Sequence, residues 1–380
     1  MTTAISLDGD PSFPTNRTDL RTGVFFMLIR GLTPTNLTRM AFRRRHPIGS
    51  STKVFLAICD HWEPRWQRPT RDLELQRVRR WRDRLPKMTD GITDRAGRPP
   101  QHTFFYPEEE YDPAHVEGLV ELREAGLGDV EIHLHHDNDT SENLRRTLLD
   151  FARRLHEEHG LLKNHDGTIT YGFIHGNWCL DNSRPDGRYC GVNDEIDILI
   201  QTGCYADFTL PAAPSPAQTK TINSIYYAND DPLRPKSHDT GTPATVGREP
   251  PKDSLLMIQG PLSIDWQDRI RGIVPRIDYN NYQGRSGPSL QRFLRWVDVG
   301  VQVVGQTDWR FVKVHTHGCE EGNEEILLGD PMRRFHESLA EYSARHPAFE
   351  YYYVTAREMA NLVHQAEAGM TQPDIAAASR

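Results

Sequence analysis

The chain has 380 residues, 37% of them hydrophobic and 26% charged, with a mean hydropathy of −0.65. These values exclude a disordered or collagen-like chain, and the length is enough to bury a sizeable core. No apolar run approaches the roughly 18 residues that a transmembrane helix needs.

The net charge of −8 is unevenly spread. Residues 17–45 hold seven Arg against one Asp, and residues 65–87 hold eight Arg and one Lys against three acids. An acidic chain is not expected to bind nucleic acid. Its two basic stretches suit an anionic surface, with peripheral membrane contact through the N-terminal one, or a phosphate-bearing substrate. The plainer expectation is a flexible arm and a solvated helix face. Five widely spaced cysteines without a CxxC argue against a disulfide framework or a zinc knuckle, and for a reducing compartment. The apolar run from Val24 to Ile29 follows an acidic leader with Asp8, Asp10 and Asp19, unlike a secretory signal, so the expected location is cytoplasmic.

In chain order, residues 1–50 read as a basic, partly disordered arm. From residue 51 to about 370 β-rich runs alternate with amphipathic stretches. The expected strands cover residues 53–59, 102–106, 130–135, 168–175, 205–210, 255–258, 310–315 and 351–354. Val116, Leu119 and Val120 mark a helix ending near Gly126. Leu144, Leu148, Phe151 and Leu155 mark another, behind the caps Thr140 and Ser141. Asp330-Pro331 predicts an N-cap and first turn, and Thr355-Ala-Arg-Glu358 a capping box. Residues 211–252, rich in Pro, Ser, Thr and Asp, read as a long loop over one face, and residues 371–380 as a flexible tail. Alternating strands and helices predict an α/β domain with mostly parallel pairing, either a barrel or a doubly wound sheet.

Four strand ends carry chemistry. In Val130-Glu-Ile-His-Leu-His-His-Asp-Asn-Asp139, strand alternation puts His133 and His135 on one side, with His136, Asp137 and Asp139 directly after. Imidazole and carboxylate at that density are the usual ligands of zinc and related divalent metals. In Phe55-Leu-Ala-Ile-Cys-Asp60-His61, an apolar strand ends in a carboxylate and an imidazole, where a barrel carries its catalytic groups. In Phe311-Val-Lys-Val-His315-Thr-His317, Lys313, His315 and His317 share a face, and a histidine there suits proton transfer or metal ligation. In Phe173-Ile-His-Gly-Asn-Trp178, His175, Asn177 and the Trp178 plane suit a sugar, with its apolar face and hydroxyl edges. Pro235-Lys-Ser-His-Asp239 is a weaker element that could reach over the site.

The order of these motifs, from about residue 53 to 318, resembles the polysaccharide deacetylase (NodB-homology) family. The resemblance implies an irregular (β/α) barrel of about seven strands and a divalent metal, with zinc first and nickel, cobalt or manganese as alternatives. It implies removal of an acetyl or other acyl group from an N-acylated sugar or glycan intermediate. Given a cytoplasmic location, a phosphate- or lipid-linked intermediate is expected. Where the family has two adjacent Asp, this chain has Asp60-His61, which makes Asp60 the base and His61 a metal ligand. A shifted alignment sets Cys59 and Asp60 there instead. Glu131-Ile132 match the lead-in to the family's second motif, His135 its first His and Asp139 its second His position. The Arg-Pro-Pro-Tyr stretch is replaced by His175-Gly-Asn-Trp178, and the late acid falls at His315 or His317. The implied site is therefore Asp60, His315 and His317 for catalysis, His61, His135 and Asp139 for the metal, and His133, His175, Asn177 and Trp178 for substrate.

Three other readings compete. A glycoside hydrolase would pair Asp60 with Glu63, Glu108 or Glu110. An amidohydrolase- or phosphoesterase-type enzyme usually has His-x-His on its first strand, and here it falls on about the third. A carbohydrate-binding protein would retain the fold without turnover.

Overall fold

The computed structural model describes residues 31–49, 51–163, 166–284 and 286–379. Its strands are β1 (Thr52–His61), β2 (His102–Pro107), β3 (Gly128–Leu134), β4 (Tyr171–His175), β5 (Cys204–Asp207), β6 (Ile225–Asn229), β7 (Thr242–Pro243), β8 (Ser254–Ile258), β9 (Ser263–Ile270), β10 (Val274–Asp278), β11 (Trp309–Thr316) and β12 (Phe349–Tyr353). Ten of them form one sheet in the order β11-β1-β2-β3-β4-β5-β8-β6-β7, with β12 paired to the start of β1. Pairing is parallel from β11 through β8, whereas β6 and β7 add antiparallel strands. The hairpin β9–β10 stands apart.

All eight expected strands are present, and the α/β class with a mostly parallel sheet is as the alternation predicts. The sheet is larger than about seven strands, and among the described residues no ladder closes it. It does curl: beyond β8, a Cβ on Gly260 would lie 2.6 Å from the Lys313 carbonyl of β11. Residues 211–252 are not simply a loop, because β6 and β7 lie within them.

The helices are α1 (Pro34–Ala41), α2 (Arg71–Thr89), α3 (Pro113–Glu124), α4 (Ser141–His159), α5 (Glu195–Gln201), α6 (Leu290–Val299), α7 (Glu321–Leu327), α8 (Asp330–Arg345), α9 (Ala356–Glu367) and α10 (Ile375–Ala378). Thr140 caps α4 by accepting from the Asn143 amide, and Thr355 with Glu358 forms the expected capping box on α9. The α8 cap is one residue earlier than expected, at Gly329.

Strand alternation divides the core into two layers. Val54, Leu56, Ile58, Ile132 and Leu134 pack outward with residues of α2, α3 and α4. Phe55, Ala57, Cys59, Phe105, Ile174 and Phe311 face inward with Met359 and Val363 of α9. The last turn, α10, joins this inner layer through Ile375 and Ala378 where a flexible tail is expected. All five cysteines are buried and unpaired. Among the described residues no helix is long and apolar enough to cross a membrane.

The first basic stretch lies partly outside the described residues. The part that is described docks through Leu32 and Met40 against Ala213 and Leu262, and Arg43 pairs with Asp298 at 2.8 Å. The second stretch is matched by acids. Arg77, Arg80 and Arg84 of α2 lie 2.7, 2.7 and 2.6 Å from Glu321, Glu324 and Glu325 of α7.

Candidate functional site

The site begins where β1 ends. Cys59 and His61 point inward, so Asp60 points the other way. The Asp60 carboxylate is fully buried in the outer layer, 2.7 Å from His102 Nε2, and accepts the Gly318 amide at 2.6 Å. It faces away from the inward His61 and His133, which places the residue expected as base outside the site.

On the inner side His61, Glu63 and His133 each offer a ligand-type atom, all within 4.8 Å of one another. His133 Nδ1 donates to the Ile174 carbonyl at 3.0 Å, which leaves Nε2 as the lone-pair nitrogen, 3.2 Å from Glu63 Oε1. Burial works against the Glu63 charge. The close imidazoles of His133 and His317, with the nearby His135 charge, nevertheless hold its carboxyl far below the usual range. Burial keeps His61 well below its ordinary value and neutral, and its buried Nδ1 has no hydrogen-bond partner among the described residues. Burial likewise lowers His133, against the pull of Glu63. Two neutral imidazoles and a carboxylate thus present lone pairs to a common point.

His135 reaches the same group through Glu63, at 3.2 Å from Nε2, while its Nδ1 pairs with Glu109. Burial disfavours its charge, but the Glu109 hydrogen bond and the charges of Glu63, Glu109 and Glu110 push it up to about 9. Asp139 is elsewhere. Its carboxylate lies 3.2 Å from His136 Nδ1 and accepts from the Asn143 side chain at 2.7 Å, so it is not among the ligands around His61.

Beside this group is a cleft of about 420 Å³ whose walls include Trp178, Tyr279, Asn281, Gln283, His315 and His317. The His317 ring centre lies 4.6 Å from that of His61, and His317 Nδ1 is 3.6 Å from Glu63. Trp178 closes the opposite side, its ring 5.7 Å from His61 and 5.8 Å from His317. The tight turn after β4 puts Trp178 at φ +54°, a left-handed conformation unusual for a bulky residue, and this aims the indole at the cleft.

His315, His317 and Trp178 therefore meet as the sequence suggests. His133 belongs to the ligand group rather than to the cleft wall. His175 faces the outer layer, its ring 4.7 Å from that of His136, and Asn177 is half-buried in the turn, its amide 3.3 Å from His175 Nδ1. His238, of the weaker loop element, is fully buried, with the Tyr226 hydroxyl on its carbonyl.

Of the three ligand-type residues, the implied site gave His133 to the substrate, and it had no place for Glu63. The signal for Glu63 is the spacing His61-x-Glu63, which continues the inward face of β1 past the strand end. Asn281 and Gln283 had no signal, because they follow a hairpin with no catalytic motif. A second group, His136, His175, Cys190 and Glu195, also offers ligand-type atoms within 4.8 Å of one another.

No family model matches this chain, and no curated protein matches it.

Proposed function

We propose that the protein is a metal-dependent hydrolase that removes an acyl group from an N-acylated sugar, similar in chemistry to the polysaccharide deacetylases, on a curled sheet that resembles their irregular barrel. The observation that carries this reading is the buried His61–Glu63–His133 group set against a polar cleft walled by Trp178, His315 and His317.

The residues fit a divalent metal. With the His133 Nδ1 proton committed to Ile174, both His133 Nε2 and Glu63 are acceptors 3.2 Å apart, and a cation resolves that opposition. Two His and one Glu with a further position open is a ligand set of catalytic zinc sites, and His133 has the outer hydrogen bond that such ligands use for orientation. Nickel, cobalt and manganese suit the same nitrogen–oxygen set. When bound, such a metal polarises a carbonyl and makes a bound water more acidic.

The chain's own residues supply the rest. Trp178 offers the sugar an apolar plane, and Asn281 and Gln283 offer hydrogen bonds to its hydroxyls. His317 lines the cleft beside Glu63 and is the proton carrier: it takes a proton from the attacking water and delivers one to the leaving amine nitrogen. The amide C–N bond breaks, water adds across it, and the products are a free acid and an amino sugar. His315, on the same strand face, positions the substrate against His317. Asp60 has no part in this, since it faces the outer layer. The same placement works against a glycosidase pair of Asp60 with Glu63, which point to opposite sides of the end of β1. The reading keeps the sugar as a phosphate- or lipid-linked intermediate handled in the cytoplasm.

The test is elemental analysis of wild type beside His133→Ala, with acid release measured on a panel of N-acetylated sugars. The expected outcome is the loss of one metal equivalent and of hydrolysis in His133→Ala. Unchanged metal content with full hydrolysis in that variant overturns the proposal, while glycan binding without any hydrolysis in the metal-loaded wild type leaves a binding protein.

A further inference from the structure

On the outer side of β3 and β4, away from the cleft, four side chains converge without serving the proposed reaction. His136 follows β3, His175 ends β4, Cys190 lies in the connection between β4 and α5, and Glu195 opens α5. Cys190, Glu195 and His175 are buried and the His136 side chain nearly so.

Each is arranged for a cation. Cys190 Sγ accepts the amides of Asn182 at 3.2 Å and Val192 at 3.4 Å and donates its S–H toward Glu195 Oε2, a proton that a bound cation would displace. Glu195 Oε2 takes the Asp181 amide at 2.5 Å, and it also lies only 3.2 Å from Cys190 Sγ. The other oxygen, Oε1, is 3.3 Å from His136 Nε2. On the far side of that ring Nδ1 lies 3.2 Å from Asp139, the carboxylate–histidine pairing that orients metal-binding imidazoles. His175 supplies an independent sign. Its Nδ1 accepts the Asn177 and Cys179 amides, so Nε2 carries the proton, and this fully buried N–H has no acceptor among the described residues.

We propose that His136, Cys190 and Glu195 bind a second divalent cation of the zinc class, with the His175 Nε2–H directed to a water in its fourth position. A thiolate and a carboxylate neutralise a divalent cation, which makes the set suitable for a buried place. The site is a staple. It ties the segment 176–194, which carries Trp178, to the turn after β3, where the Asp139 amide already bonds the Cys190 carbonyl at 2.9 Å. Close packing there requires glycine: at Gly191, φ +101°, a Cβ would lie 2.7 Å from the Asp139 nitrogen.

The proposal is independent of the hydrolase reading, and cobalt separates the two. The full chain is stripped of metal and reloaded with Co²⁺, and the near-ultraviolet thiolate-to-cobalt charge-transfer band is read together with the metal count. The expected result is the band in wild type and in His133→Ala, and its loss, together with one equivalent of cobalt, in Cys190→Ser. No such band in the cobalt-loaded wild type overturns the proposal, as does a band that survives Cys190→Ser. If Cys190→Ser does not fold, the wild-type spectrum still decides. Among the described residues none of Cys59, Cys179, Cys204 and Cys319 sits in a group of ligand-type side chains, so a thiolate band reports Cys190.

Discussion

The Asp60 carboxylate accepts the Gly318 amide at 2.6 Å, and so joins the end of β1 to the residue that follows His317. The contact leaves no room for a side chain, since a Cβ on Gly318 would lie 2.1 Å from Asp60 Oδ2. Asp60 thus holds His317 in place from behind, with Trp81 Nε1 donating to the Gly318 carbonyl at 3.0 Å from the same side. Asp60→Asn is expected to lower unfolding stability by about 1–3 kcal/mol, the scale of a disturbed buried charged hydrogen bond, while metal content stays unchanged. Hydrolysis per folded molecule should survive. A loss on the order of 100- to 10,000-fold at unchanged stability would mark Asp60 as the general base after all.

That contrast shows what a sequence of this kind encodes. The strands were legible because short apolar runs such as Phe55 to Cys59 recur between longer amphipathic stretches, and the helix caps at Thr140 and Thr355 were legible from local chemistry. Faces were harder. Adjacent residues of a regular strand point to opposite sides, and β1 stays regular through His61, so Asp60 and His61 part to opposite layers here. Asp139, four residues after His135, lies beyond the end of β3, where the turn sends it to the outer layer instead. The strands within residues 211–252 were hidden by their polar, proline-rich flanks.

Trp178 should act on substrate alone. Trp178→Ala removes the cleft wall and leaves the side chains of His61, Glu63 and His133 in place, and is expected to raise KM by about fivefold, roughly 1 kcal/mol of lost aromatic contact. Metal content should not change, and Trp178→Phe should recover part of the loss. An unaltered KM for every sugar that wild type hydrolyses would assign the indole to packing.

Beneath the site, the inner layer encloses a charge. Glu131 is fully buried, accepts from the Tyr205 hydroxyl and the Gly172 amide at 2.5 Å each, and lies 3.5 Å from the Arg357 guanidinium of α9. Burial pushes the Glu131 carboxyl up to about 7 although Arg357 opposes it. Removing the arginine leaves an uncompensated buried acid, so Arg357→Ala is expected to destabilise by about 3–5 kcal/mol in urea unfolding. In a Glu131→Gln background the same change should cost clearly less. Equal costs in both backgrounds would show that Arg357 acts through its bonds to Thr170, at 2.8 and 2.7 Å, and not through the charge.

The pH response has a separate origin in His336 of α8. This ring is fully buried with Nδ1 against the Tyr353 hydroxyl at 2.8 Å, and burial lowers its pKa from 6.5 to about 3. Between those values the unfolded chain binds a proton that the native state refuses. The stability this neutral ring provides is complete above pH 6.5 and declines as the pH falls toward 3, by about 1 kcal/mol per pH unit. Buried carboxyls with raised pKa, such as Asp207 at about 7, act in the opposite direction in the intact protein, and they cancel when wild type is compared with His336→Leu. The advantage of wild type over that variant should therefore shrink from pH 7 to pH 5 in paired urea titrations. A difference that stays constant across this range would mean that His336 takes up its proton as readily in the native state as in the unfolded chain.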